Sequence, residues 1–230
     1  MKKQVISIRR KLLHLRLRPI RVFCFHQVSD EFEPETMKEC DWMQIDVFKK
    51  TILSLKEKYI FVSLRDAYNH IANDKLRMKH YAVLTADDGC ASLKNILPWL
   101  DEQNIPVTLF LNPLFFDGVH FRENANEKYL TLEEVEQFAL SCKRLSVALH
   151  GWGHKDVSAF SESEFRDDID KSRQALKGMR SYIPFYAYPW GRHKMMNDNV
   201  LREFGLTPVL MDGLKNYSDI LFVHRELLVS

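Results

Sequence analysis

Tyr81-Ala-Val-Leu-Thr-Ala-Asp-Asp-Gly89 is an apolar run that stops abruptly at two adjacent carboxylates and a glycine. A short apolar run bounded by turn residues reads as a strand buried on both faces. Alone, the two acids read as an ordinary loop ahead of the next helix. The flanking sequence changes that. Comparable strand-like runs occur at 21–26, 61–64, 107–111, 145–149, 185–188, 207–211 and 220–223. Helical patterns fall between most of them, at 46–58, 65–72, 92–103, 131–142, 161–177 and 195–204. Alternating strand and helix predicts an α/β fold with a parallel sheet or barrel. Two helix starts are marked by Thr131 with Glu134 and Ser161 with Glu164, the spacing of a capping box. Pro98 predicts a break inside the 92–103 helix. In such folds the working groups sit where strands end and loops begin, which is where Asp87 and Asp88 lie.

The 230 residues, 46% hydrophobic and 28% charged, are ordinary for a globular protein and suffice for one full core. No repeat, low-complexity run or glycine-rich linker divides them. Charge divides them instead. Eight of the 33 Lys and Arg lie between Met1 and Ser29, where there is no acid, and all 31 Asp and Glu lie beyond. Residues 1–19 therefore read as a basic arm ahead of a body over 20–230. Within the arm Val5, Ile8, Leu12 and Leu15 share one helical face, and Pro19 would end the helix. A docked or solvated arm fits this pattern, and so does peripheral contact with a membrane through 2–18. Nucleic acid is not expected, since the arm has no interleaved aromatics and no binding motif. Arg9, Arg10, Lys11, Arg16 and Arg18 interrupt every apolar stretch, so neither a secretory signal nor a membrane span is expected. The expected location is cytoplasmic, with or without membrane association. Cys24, Cys40, Cys90 and Cys142 show no CxxC spacing and read as reduced thiols.

Two further strand ends carry chemistry. Leu145-Ser-Val-Ala-Leu-His-Gly-Trp-Gly-His154 places two imidazoles four residues apart. A zinc-protease helix has that spacing too, but no Glu follows His150, and Gly151 and Gly153 disfavour a helix. The glycines instead let a loop curl so that both rings face one point. Phe185-Tyr-Ala-Tyr-Pro-Trp-Gly191 is an aromatic turn fit to wall a sugar-sized pocket. His26 ends the first strand. Together, one carboxylate and two neutral imidazoles suit Zn²⁺ or a similar divalent ion. Three protein ligands leave room for water and substrate, and a second carboxylate beside them is a candidate base.

These segments resemble the polysaccharide deacetylase family, also called the NodB homology domain or carbohydrate esterase family 4. Thr85-Ala-Asp-Asp-Gly89 resembles its Thr-Phe-Asp-Asp-Gly motif, His150-Gly-Trp-Gly-His154 its His-Ser/Thr-x-x-His motif, and Ala187-Tyr-Pro-Trp-Gly191 its Arg-x-Pro-x-Gly motif. The likeness runs over about residues 20–225, with the motifs in the family's order. It implies a distorted (β/α) barrel of about seven parallel strands and the removal of N-acetyl groups from an N-acetylated sugar. It implies a divalent metal, zinc foremost, held by Asp88, His150 and His154, with Asp87 as base. In the branch with a His in the first strand, that His is the general acid, which implies His26. His224 is the competing candidate. Tyr188, Pro189, Trp190 and Trp152 are the expected contacts to the carbohydrate. The departures are Ala86 for Phe, Gly151 for Ser/Thr, which removes a hydroxyl that would orient the loop, and Ala187 for Arg, which leaves Asp87 without its usual cationic partner. The rival readings are a metal- and glycan-binding protein with little or no turnover, and a metal hydrolase of a non-sugar amide or ester.

Overall fold

The computed structural model describes residues 19–32, 42–72, 79–116, 128–216 and 222–228. The basic arm, Cys40, most of the long loop after Asn112 and residues 220–221 of the expected last strand lie outside them. After β1 (Arg21–Phe25) come a short parallel pair, β2 (Gln27–Val28) and β3 (Trp42–Met43), then α1 (Ile45–Lys58), β4 (Ile60–Phe61) and α2 (Leu64–Ala72). Strand and helix then alternate: β5 (Tyr81–Ala86), α3 (Leu97–Glu102), β6 (Val107–Leu111), α4 (Leu132–Ser141), β7 (Leu145–Leu149), α5 (Glu162–Ala175), β8 (Tyr182–Ala187), α6 (Met195–Glu203) and β9 (Thr207–Met211). The last strand, β10 (Val223–Leu227), lies three residues beyond the expected start.

Strands β5 to β10 pair in parallel in chain order, and β1 pairs with both β10 and β5. This closes a seven-stranded parallel barrel, while β4 pairs only with the first two residues of β5. Because every strand is covered on both faces, its alternation separates two apolar sets instead of an apolar and a polar one. One set, including Val22, Val83, Phe110, Ala148, Phe185, Ala187, Val209 and Val223, packs together inside the barrel. Leu64, Ala67 and Ile71 of α2 join this set and plug the end where the strands begin. The other set, including Phe25, Leu84, Leu109, Val147 and Leu149, meets Phe48 and Ile52 of α1, Leu97 of α3, Val135 of α4 and Phe165 of α5.

Local chemistry explains the boundaries. Both capping boxes form, at Thr131 and at Ser161. The helix expected over 92–103 is split into a 3-10 turn (Ala91–Asn95) and α3, with Pro98 in the first turn of α3, where its missing N–H costs nothing. β8 begins earlier than its aromatic run, with Pro184 inside it. The pairing with β7 shifts register there, between Val147 and Leu149, as expected where one residue cannot donate.

At the end where the strands finish, the interior turns polar. Thr85, Asp87, Thr108, Asn112, His150 and Arg225 are all buried. Arg225 reaches across the barrel from β10. It donates from Nη1 to Asp87 Oδ1 (2.6 Å) and from Nη2 to Oδ2 (2.8 Å), and its guanidinium lies 5.0 Å from the centre of the Phe110 ring. The usual partner at position 187 is absent, as expected, but Asp87 is not left without a cation. The guanidinium missing at position 187 comes from β10, two strands further round the barrel. Burial alone would push the Asp87 carboxyl up. The charge of Arg225 and its hydrogen bonds override this and hold it down to about 2.

A depressed carboxyl pKa gives stability that is present above the unfolded value near 4 and lost as the pH falls towards about 2. Replacing Arg225 with Met leaves the carboxylate buried without its partner, a change that costs about 3–5 kcal/mol at pH 7. Urea denaturation of Arg225→Met should show that deficit at neutral pH. It should also show the deficit shrinking as the pH falls from above about 4 towards about 2, because the unpaired buried Asp87 of the variant takes up a proton before that of the wild type. A deficit independent of pH would contradict the pairing.

Candidate metal centre

Asp87 and Asp88 are adjacent and both approach His150 Nε2, at 3.7 and 3.4 Å, yet their main partners differ. The Asp87 backbone continues the β5 ladder, its N–H donating to Phe25 O (3.1 Å). Asp88 then adopts a left-handed backbone, with φ of 69°. That turn brings its carboxylate to the end of β7. Gly89 completes the turn at φ 74°, and a Cβ there would come within 2.8 Å of Leu111 Cδ2. Glycine takes this backbone without strain, and any side chain there would have to displace that of Leu111.

The His150–His154 loop is held residue by residue. His150 N–H donates to Leu111 O (3.0 Å), and the Asn112 side-chain amide donates to the carbonyls of His150 and, at 3.1 Å, Gly151. Trp152 N–H donates to both carboxylate oxygens of Asp168 (3.1 and 3.2 Å), and its carbonyl accepts from Leu114 N–H (3.0 Å). His154 sits at φ 53°. Non-glycine residues in this region cost free energy, and they cluster at functional sites.

The two rings meet Asp88. Asp88 Oδ1 lies 3.4 Å from His150 Nε2 and 3.2 Å from His154 Nε2, and one donor atom from each residue falls within 4.8 Å of the others. His150 Nδ1 is 2.9 Å from Ala187 O. A carbonyl only accepts, so Nδ1 carries the proton and the Nε2 lone pair faces Asp88. That is the tautomer and support usual for a metal-bound imidazole. Tetrahedral zinc bonds of about 2.0–2.1 Å place neighbouring donors about 3.3 Å apart. The two Asp88–His separations match this, so the donor set fits such an ion.

Cys24, His26 and Asp87 form a second group with donor atoms within 4.8 Å of one another. Its chemistry opposes a cation. Burial pushes the Cys24 thiol well up, against deprotonation. The Arg225 guanidinium stands 3.5 Å from Cys24 Sγ and occupies both Asp87 oxygens. The group does bring His26 beside the Asp87 carboxylate. His224 neighbours the inward-pointing Arg225 on β10, so alternation turns it to the opposite face. There its Nδ1 lies 2.7 Å from Asp212.

The aromatic turn is split in the same way. Ala187 points into the barrel, while Tyr186 and Tyr188 face the helices. Tyr188 is buried, and its hydroxyl donates to Asp198 (2.8 Å), so the structure does not bring it to Asp88 and the two His. Pro189 is buried, beside the backbone of Gly151. Trp190, at φ 60°, is 54% exposed and stands edge-on to the His154 ring, with centroids 4.8 Å apart. Trp152 is partly exposed and borders a surface groove with Asp170, Lys171 and Gln174 of α5.

Three residues of the site escaped the sequence reading. Asn112 stands one position past β6, at a strand end, a signal applied elsewhere but not there. Asp168 shares the buried face of α5 with Phe165, Ile169 and Ser172, and an acid on an apolar stripe is a legible anomaly. Arg225 had no such signal.

Comparisons with known proteins bear on the family and the fold. The polysaccharide deacetylase family model matches residues 75–209. IcaB from Ammonifex degensii has a similar structure, with a TM-score of 0.78 over 92% of both chains at 20% identity. The deacetylase PplD of Streptococcus pyogenes, solved with acetate, scores 0.77 over 92% of both chains at 18% identity. A de-N-acetylase from Aggregatibacter actinomycetemcomitans scores 0.73 at 18% identity, over 91% of this chain and 94% of its own. At these identities the likeness is one of fold. A comparison with curated proteins returned no match. The family model spans more than half of the chain, and the chain belongs to the polysaccharide deacetylase family.

Proposed function

We propose that this protein is a metal-dependent hydrolase that removes N-acetyl groups from an N-acetylated sugar in a polysaccharide or its precursor. The observation that carries the reading is the convergence of Asp88, His150 and His154 on one side of a strand end whose other carboxylate, Asp87, is held apart by Arg225. Asp88, His150 and His154 would hold the ion, zinc foremost. Bound there, it would act as a Lewis acid and lower the pKa of a water molecule to about 7.

The chain's own groups divide the rest. Arg225 keeps Asp87 ionised and fixed, with Oδ2 at 3.7 Å from His150 Nε2 and so beside the ion's ligands. Asp87 accepts the proton of the attacking water as its oxygen bonds to the acetamide carbonyl carbon. His26, beside Asp87, delivers a proton to the amide nitrogen as the C–N bond breaks. Acetate and a free amine leave. Trp190, exposed and rigid beside His154, offers an apolar face to the sugar ring, as aromatic side chains do at sites where a ligand is part apolar and part hydroxylated. Trp152 stands on the opposite side of the His loop, towards α5, and would contact a neighbouring unit.

Acetate release from an N-acetylated amino-sugar oligomer, measured on the purified full chain with zinc content determined in parallel, tests this. The wild type is expected to release acetate, to stop after chelation and to resume on zinc addition. Asp88→Asn should lose both zinc and activity. Asp87→Asn should keep zinc and lose about 10²- to 10⁴-fold in rate. Full turnover by Asp87→Asn would remove Asp87 as the base. A zinc-loaded wild type inert on every N-acetylated sugar would overturn the proposed reaction.

A further inference from the structure

The loop that carries His150 and His154 is anchored at its middle by a carboxylate from another element. Asp168 projects from the buried face of α5, and both of its oxygens receive the Trp152 N–H. Trp152 is two residues from each imidazole. The Tyr186 hydroxyl, from β8, donates to the same carboxylate (3.3 Å). Gly151 lies directly under this pair. A Cβ at Gly151 would stand 3.0 Å from Tyr186 Oη and 3.4 Å from Asp168 Oδ2, on a backbone at φ 76°. The space for a side chain at position 151 is therefore filled from outside the loop, by groups that do the orienting a hydroxyl at 151 would do.

Stability alone does not account for an acid here. Its neighbours on the stripe are Phe165 and Ile169, and an apolar side chain would complete their packing. Burial of the charge works against the fold and pushes the Asp168 carboxyl up to about 6. An apolar residue here would relieve that cost but leave the Trp152 N–H and the Tyr186 hydroxyl without this acceptor, at about 1–3 kcal/mol for each buried donor left unsatisfied. What the carboxylate supplies is a fixed acceptor at the one backbone N–H midway between the two rings.

We propose that Asp168 is a positioning residue for the metal centre: through Trp152 N–H, and steadied by Tyr186, it sets the spacing of His150 and His154. The inference rests on the reading of these two imidazoles as metal ligands. It places a second tier of control on α5, outside the strand-end motifs. Groups that orient ligands from outside the coordination sphere typically change metal affinity by about 10- to 100-fold when lost.

The test uses the full chain loaded with Zn²⁺ or Co²⁺. Zinc affinity is measured by competition with a chelator, cobalt geometry by the visible d–d absorption, and fold by thermal unfolding of the metal-free protein. Asp168→Leu, compared under conditions where its metal-free form is folded, should bind zinc about 10- to 100-fold more weakly and show an altered cobalt spectrum. Asp168→Asn keeps an acceptor for Trp152 and should retain near-wild-type affinity and spectrum. Tyr186→Phe removes only the hydroxyl. It should shift the spectrum in the same direction as Asp168→Leu with a smaller loss of affinity, and it serves in place of that variant if the latter does not fold. Wild-type affinity and spectrum in both Asp168→Leu and Tyr186→Phe would overturn the inference while leaving the metal reading intact. A wild type that binds neither ion would overturn the metal reading, and this inference with it.

Discussion

A guanidinium buried inside a barrel must have a counter-charge, and here that need fixes the site. Arg225 is 1% exposed, and its partner is Asp87, the first of two adjacent acids. Two charges removed from water are tolerated only when they are well paired, so Asp87 is not free to act as a ligand for a cation. The pair joins β10 to β5 across the polar end of the interior. It also decides electrostatics on both sides of Asp87. Towards Cys24 and His26 it places a positive charge that repels any cation. Towards Asp88 it leaves a second carboxylate available, close to two imidazoles.

Backbone geometry then separates the roles of neighbours. With φ of 69° at Asp88, two consecutive acids diverge to different partners, one to Arg225 and one to His150 and His154. The His loop is constrained from β6, α5 and β8 at once, through Asn112, Asp168 and the Ala187 carbonyl. Left-handed conformations at Asp88, His154 and Trp190 persist because such contacts over-determine them. A site held this way needs little rearrangement to receive an ion, and that favours tight and selective binding.

Much of this was legible in the chain itself. Apolar runs ending in Asp-Asp-Gly and His-Gly-Trp-Gly-His announce strand ends with chemistry, and the capping boxes at Thr131 and Ser161 appear where their spacing puts them. The illegible parts share one physical cause: they depend on which face of a strand or helix turns inward. Tyr188 reads as a pocket wall, but alternation in β8 sends Ala187 inward and Tyr188 towards α6. Arg225 lies beside His224 and Glu226 in a polar stretch, and nothing local tells that its side chain alone enters the barrel. The pairing of β10 with β1 and β9 decides that, and it is a long-range fact. The missing guanidinium at position 187 was visible as a gap, and its replacement from another strand was not.

The central claim is that Arg225 reserves Asp87 and so assigns the ion to Asp88, His150 and His154. X-ray absorption at the zinc edge of the zinc-loaded protein tests it most directly, because the two candidate groups differ in sulfur. The account predicts a first shell of nitrogen and oxygen at about 2.0–2.1 Å with the outer-shell pattern of two imidazoles. A zinc–sulfur distance of about 2.3 Å would put the ion with Cys24 and contradict the account.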